Sequence, residues 1–152
     1  SNLWFGLRWN LPLHETLLYI ASMICVGFVE DVFFRGLLFN AMRKDGLKSA
    51  VIVSSLTFGI GHIVNLFNGS GAQLLSNLCQ VGYAAAVGFL FVILFLKTGS
   101  LIPCIVTHSA VNSLSVFANE GSITVTQEIF SATAIAMIAL AYSVYLLKKL
   151  PK

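Results

Sequence analysis

Apolar positions in this chain gather into five long blocks, and the short polar clusters between them mark the turns. Residues 11 to about 43 read as one helix, since Pro12 suits a first helical turn and no internal Gly-Pro break follows. Arg43-Lys44-Asp45-Gly46 forms a charged turn before a second helix over 47–67, and Asn68-Gly69-Ser70-Gly71 supplies turn chemistry before a third over 72–96. Lys97-Thr98-Gly99-Ser100 and Asn119-Glu120-Gly121-Ser122 separate a fourth helix, 101–118, from a fifth, 125–147. The third block carries no charge, and its Gly82, Ala84, Ala85, Ala86 and Gly88 permit close helix contact. At about 1.5 Å per residue the first helix exceeds a ~30 Å hydrocarbon core, so it must tilt, bend or protrude. Residues 1–10, with Trp4, Phe5 and Trp9 beside Arg8, read as an interfacial aromatic belt lying on the membrane. The expected fold is an all-α integral membrane protein: one domain, a bundle of about five transmembrane helices.

Composition agrees with that pattern. The 152 residues are 57% hydrophobic and 10% charged, against roughly 25% charge in soluble domains, and mean hydropathy is +0.88. The net charge of +3 does not indicate a nucleic-acid partner, because the bases sit at the ends of apolar blocks, as membrane topology requires. On one side of a five-span arrangement lie Arg43, Lys44, Lys48, Lys97, Lys148, Lys149 and Lys152, and on the other only Arg8. That bias orients the N-terminus outside and the C-terminus in the cytoplasm. Cys25, Cys79 and Cys104 all fall in apolar blocks without a CxxC pair, and read as small buried hydrophobes.

Charges inside the blocks are few and concentrated. Glu30, Asp31 and Arg35 stand within six residues of the first helix, where each ionised side chain is unfavourable by roughly 2.5–3.5 kcal/mol on insertion scales. Asp31 and Arg35, at i and i+4, pair on one face and read as a structural ion pair. Glu30 lies about 100° around the helix without a local cation, so its partner must come from another part of the chain. The other ionisable residues at depth are His62, with Phe58 one turn before it, and His108, with Asn112 one turn after. Counted from the basic helix ends, Glu30, His62 and His108 lie at depths of roughly 20, 21 and 16 Å. Taken singly, either histidine is as readily a hydrogen-bonding strut between helices, and Phe58 reads as a packing residue that shapes the site. His14 and Glu15 sit at the wet end of the first helix and are assigned no function.

Glu30-Asp31 followed by Arg35, then Phe58 with His62, then His108 with Asn112, in that order on successive apolar helices, resemble the three motifs of the CPBP family. These are the CAAX prenyl proteases and bacteriocin-processing enzymes, also called Abi proteins. Phe34-Arg35-Gly36-Leu37-Leu38 and Thr98-Gly99-Ser100-Leu101 are similar in style. The resemblance spans residues 29–112 and implies an intramembrane endopeptidase acting on a peptide or lipidated-protein substrate in the lipid bilayer, with the bacterial plasma membrane as the expected setting. It departs from the family in two ways: the first motif usually holds two glutamates where this chain has Asp31 second, and members usually carry helices ahead of that motif. The chain is then a short member or the core of a longer protein.

The resemblance implies roles that match the chemistry available. Glu30 is the base that activates water, His62 holds that water, and His108 with Asn112 supplies donors to the tetrahedral intermediate. Asp31 and Arg35 form the framework. No cofactor is favoured, since Glu30 acting as a free base is incompatible with Glu30 ligating a metal. A divalent metal such as Zn²⁺ stays the open alternative, with Glu30, His62 and His108 as candidate ligands around one free position. Two other classes use the same cluster. One is a non-catalytic binding or bacteriocin self-immunity protein, which the Asp31 departure favours. The other is a proton or ion relay, which lacks a second polar layer.

Overall fold

The structure, a computed structural model, describes residues 3–69, 71, 73–119 and 123–149. Ser70 and Ala72 near the second expected turn, Glu120-Gly121-Ser122 in the last turn, and the terminal residues 1–2 and 150–152 lie outside the described residues.

Five apolar helices make up the bundle. Helix α1 is Leu13–Met42, α2 is Leu47–Leu66, α3 is Leu74–Thr98, α4 is Ile102–Phe117 and α5 is Val125–Lys149. In a bilayer every backbone polar group needs an internal partner, so apolar blocks of this length have the helix as their one stable form. Their ends follow local chemistry. Pro12 stands at the N-cap of α1, Pro103 in the first turn of α4, and Gly99 closes α3 in the left-handed conformation with its N–H on the Phe95 carbonyl at 2.8 Å. Four of the helices are long enough to cross a membrane. The sixteen residues of α4 reach only about 24 Å at 1.5 Å per residue, so the expected fourth span falls short of a ~30 Å core.

Helix α1 is not uniformly α-helical. Directly after Asp31 it widens into a π segment over Val32–Phe39 before regaining an α turn at Asn40–Met42. Segments of this kind recur at functional sites because they re-aim side chains, and here the segment carries Arg35 inward. Helix α2 likewise tightens at its end, with a 3-10 turn over His62–Leu66.

Helix α3 is the centre, with α2 on one flank and α5 on the other, while α1 pairs with α4 and lays its π segment on α2. Glycines set the closest approaches. A Cβ at Gly59 would come within 2.8 Å of the Val81 carbonyl and of the Ala85 backbone nitrogen. One at Gly88 would meet the Ser55 carbonyl at 3.0 Å, and one at Gly27 would meet Ser109 Oγ at 2.6 Å. Gly82, by contrast, has open space around it. Large apolar side chains such as Leu17, Ile24 and Phe28 face outward, while Thr16, Ser54, Ser55, Ser131 and Ser143 are buried. That inversion suits a lipid solvent, where small polar residues allow helices to approach and bond.

The aromatic lead-in does more than lie on a surface. Leu7 pairs with Ala118 in an antiparallel bridge, the Arg8 N–H donates to the Phe117 carbonyl at 2.9 Å, and Asn10 Nδ2 donates to the Val116 and Ala118 carbonyls at 2.8 and 2.9 Å. Trp4 Nε1 donates to Ser131 Oγ on α5 at 2.8 Å. The segment therefore straps the end of α4 to the start of α5. Such bonds occupy carbonyls at the C-terminal end of α4, where helical partners run out.

Candidate active site

Asp31 is fully buried and divides its two oxygens between two helices. Oδ1 lies 3.0 Å from Arg35 Nη1, and Oδ2 accepts from His108 Nδ1 at 3.2 Å. The contact with Arg35 is an ion pair by distance, although its angle falls outside a directional hydrogen bond. The guanidinium, fully buried too, is held instead by aromatic faces: it stands 4.1 Å from the Phe58 ring centroid, 5.1 Å from Phe91 and 6.0 Å from Phe34. Desolvated cation–π contacts of this kind contribute on the order of 2 kcal/mol each.

His108 joins the two carboxylates. With Nδ1 on Asp31, its Nε2 stands 3.4 Å from Glu30 Oε2. The partner that Glu30 lacks on its own helix is thus the histidine of α4. Glu30 Oε2 is buried, while the side chain as a whole keeps 32% of its surface open. The His108 ring lies between Phe58 at 5.5 Å and Phe91 at 5.6 Å, which are the same two rings that flank Arg35. Phe58 and Phe91 therefore wall both partners of Asp31, Arg35 and His108.

His62 also packs edge-on against the Phe58 ring, at 5.2 Å, and its Nδ1 donates to the Phe58 carbonyl at 3.0 Å. It makes no hydrogen bond to Glu30 or His108 among the described residues. Asn112 stands one turn beyond His108 on α4, half-buried, with its side-chain amide unengaged among the described residues. Among the described residues no three His, Cys, Asp or Glu side chains converge as metal ligands, so Glu30, His62 and His108 are not gathered into a tripod as they stand.

Three contributors escape a reading of the sequence. Phe91 is one of 12 phenylalanines and carries no local signal. Gly27 sits among apolar neighbours, and its role emerges only from its contact with Ser109. Asn77, 1% exposed, donates from Nδ2 to the His62 carbonyl at 2.8 Å. A search for charge in the third block passes over it, although a buried amide in an uncharged span is itself a signal.

One cavity lies away from the polar cluster. It measures about 540 Å³ and is lined by Leu3, Leu7, Arg8, Trp9, Leu114 and Phe117, where the strap meets the end of α4.

The sequence profile of the type II CAAX prenyl endopeptidase Rce1-like family matches residues 12–114, from the first turn of α1 to beyond Asn112. The chain belongs to this family. No curated protein and no solved structure matches it significantly. Membership makes the chain a CAAX-type protease of the membrane, multi-pass by its own helices, with a protein or peptide as substrate. The Rce1-like match runs from α1 into α4, ending at residue 114, and covers every residue of the polar cluster, while α5 lies outside it.

Proposed function

We propose that the chain hydrolyses a peptide bond within the membrane by water activated on Glu30. The observation that carries this reading is the placement of His108 between the two carboxylates, bonded to Asp31 at 3.2 Å and within 3.4 Å of Glu30 Oε2 without hydrogen-bond geometry. The one carboxylate of the cluster that keeps an open surface touches a histidine whose other nitrogen is already held. Glu30 takes a proton from water as the water oxygen bonds to the scissile carbonyl carbon. His62, its Nδ1 committed to the Phe58 carbonyl, presents Nε2 to hold that water. The proton passes to His108 Nε2, where Asp31 on Nδ1 stabilises the imidazolium as a triad carboxylate does. His108 and the unengaged amide of Asn112 donate to the oxyanion. As the C–N bond breaks, His108 returns the proton to the leaving amine.

Asp31 in place of a second glutamate does not weaken this reading, because its shorter side chain still reaches both Arg35 and His108. The departure that favoured a binding or immunity protein thus leaves these contacts whole. Prenylated CAAX peptides, leader peptides, quorum peptides and bacteriocin precursors are the substrate classes to screen, with an N-outside orientation in a bacterial plasma membrane as the setting. Purified Glu30→Gln is expected to keep KM and lose at least about 10²-fold in kcat, the scale of general-base catalysis. Retained turnover would sink the role.

The assignment uses Glu30 as a free base and no metal. Turnover is therefore expected to survive exhaustive chelation. Stoichiometric zinc whose removal abolishes activity and whose return restores it would reassign Glu30, His62 and His108 as ligands.

A further inference from the structure

One buried polar group stands outside this machinery. Asn77, in the first turns of α3, is 1% exposed and donates from Nδ2 to the backbone carbonyl of His62 at 2.8 Å. An amide buried among apolar helices is unfavourable unless its bonds secure something. His62 is the point at which α2 passes from α-helical to 3-10 pairing, where hydrogen-bond geometry is poorer. Three residues on, the same helix pair is tied again, as Asn65 Nδ2 donates to Gln80 Oε1 at 3.1 Å. Asn77 and Gln80, one turn apart on α3, therefore grip the 3-10 turn at His62 and at Asn65.

We propose that Asn77 is a positioning residue for His62, fixing through the backbone which ring nitrogen is presented to the hydrolytic water. The inference rests on the water-holding role of His62. The His62 ring donates from Nδ1 to the Phe58 carbonyl, one turn back in α2. That bond forms only while the backbone at 62 keeps its angle to α2, and a single 3-10 turn holds its angle weakly. Asn77 supplies the missing constraint from a different helix. The ring and the carbonyl of His62 are then fixed together, and Nε2 carries the lone pair toward the site. The Asn77 Oδ1 atom has no partner among the described residues, so it is the donor end of this amide that the fold uses.

The test compares Asn77→Ala with Asn77→Ser in the full chain in detergent micelles, since both shorten the side chain and only serine keeps a donor. Asn77→Leu is the third variant, near in volume and without any donor. An internally quenched farnesylated CAAX peptide reports kcat and KM, and ¹⁵N shifts of the His62 ring report its tautomer independently of turnover. The expected result is a tenfold or greater fall in kcat for Asn77→Ala and Asn77→Leu with KM within twofold. In both, the ring should move from the Nδ1–H form to a mixture, with Asn77→Ser within about threefold of the parent. If Asn77→Ala and Asn77→Ser behave alike, or the tautomer stays fixed in Asn77→Ala and Asn77→Leu, the positioning role is overturned. A tautomer that shifts while kcat does not would uphold the positioning and overturn the water-holding role instead.

Discussion

Asp31 and Arg35 are both fully buried, and at the scale of single residues this makes them interdependent. Removing one partner of a buried pair leaves an uncompensated charge and costs about 3–5 kcal/mol, whereas replacing both by apolar side chains is often neutral. Asp31→Ala is therefore expected to lower the thermal midpoint in micelles sharply, and Asp31→Ala with Arg35→Met to recover most of it. Turnover should not recover, because His108 still lacks the acceptor on its Nδ1. A double variant that regains activity would remove Asp31 from the relay.

At the scale of helices, the register of α1 against α4 decides whether His108 meets the carboxylates at all. Ser109 Oγ and Ser113 Oγ donate to the Ile24 and Ile20 carbonyls at 3.4 and 3.5 Å, lengths at which hydrogen bonds are weak. Steric fit at Gly27 sets the register more firmly, since a Cβ there would stand 3.0 Å from the Ser109 backbone nitrogen. Ser109 is the residue next to His108, so the same contact governs the distance to Asp31. Gly27→Ala is expected to cost about 1–3 kcal/mol of stability, the usual scale of overpacking, and to reduce turnover while helix content by circular dichroism holds. Gly82→Ala is the control, with no atom within 4 Å of the added carbon, and should match the parent in both assays.

Across the whole molecule the site lies where two packing groups meet, the α1–α4 pair and the α2–α3–α5 layer. Ser54 Oγ on α2 donates to the Phe34 carbonyl of α1 at 2.8 Å, and Cys104 Sγ on α4 donates to the Phe91 carbonyl of α3 at 3.3 Å. These cross-links join the groups at the level of Arg35 and His108. The basic residues crowd one end of the bundle, Arg43 at the end of α1, Lys48 at the start of α2, Lys97 at the end of α3, and Lys148 and Lys149 at the end of α5. By the positive-inside rule we propose that this end faces the cytoplasm. Green fluorescent protein fused to the C-terminus in a bacterial host should accordingly fluoresce. Alkaline phosphatase active at the same position would invert the topology.

What the sequence determined by itself is what short-range physics decides. A run of apolar residues in a bilayer has to be helical, so the five helices fall at 11–43, 47–67, 72–96, 101–118 and 125–147 as read, within a few residues of their observed ends. Rare polar residues stand out against such a background, which is why Glu30, Asp31, Arg35, Phe58, His62, His108 and Asn112 could be named before any geometry. Tertiary structure decided what depends on how the helices turn toward one another. Nearly uniform apolar faces do not encode that rotation, so neither the His108 partner of Glu30 nor the Phe91 wall was legible. Nor does a helical repeat announce a π segment after Asp31, since widening a helix is stabilised by neighbours such as α2 rather than by its own residues. The strap from Leu7 to Ala118 belongs to the same class, because pairing over more than a hundred residues depends on closing the bundle first.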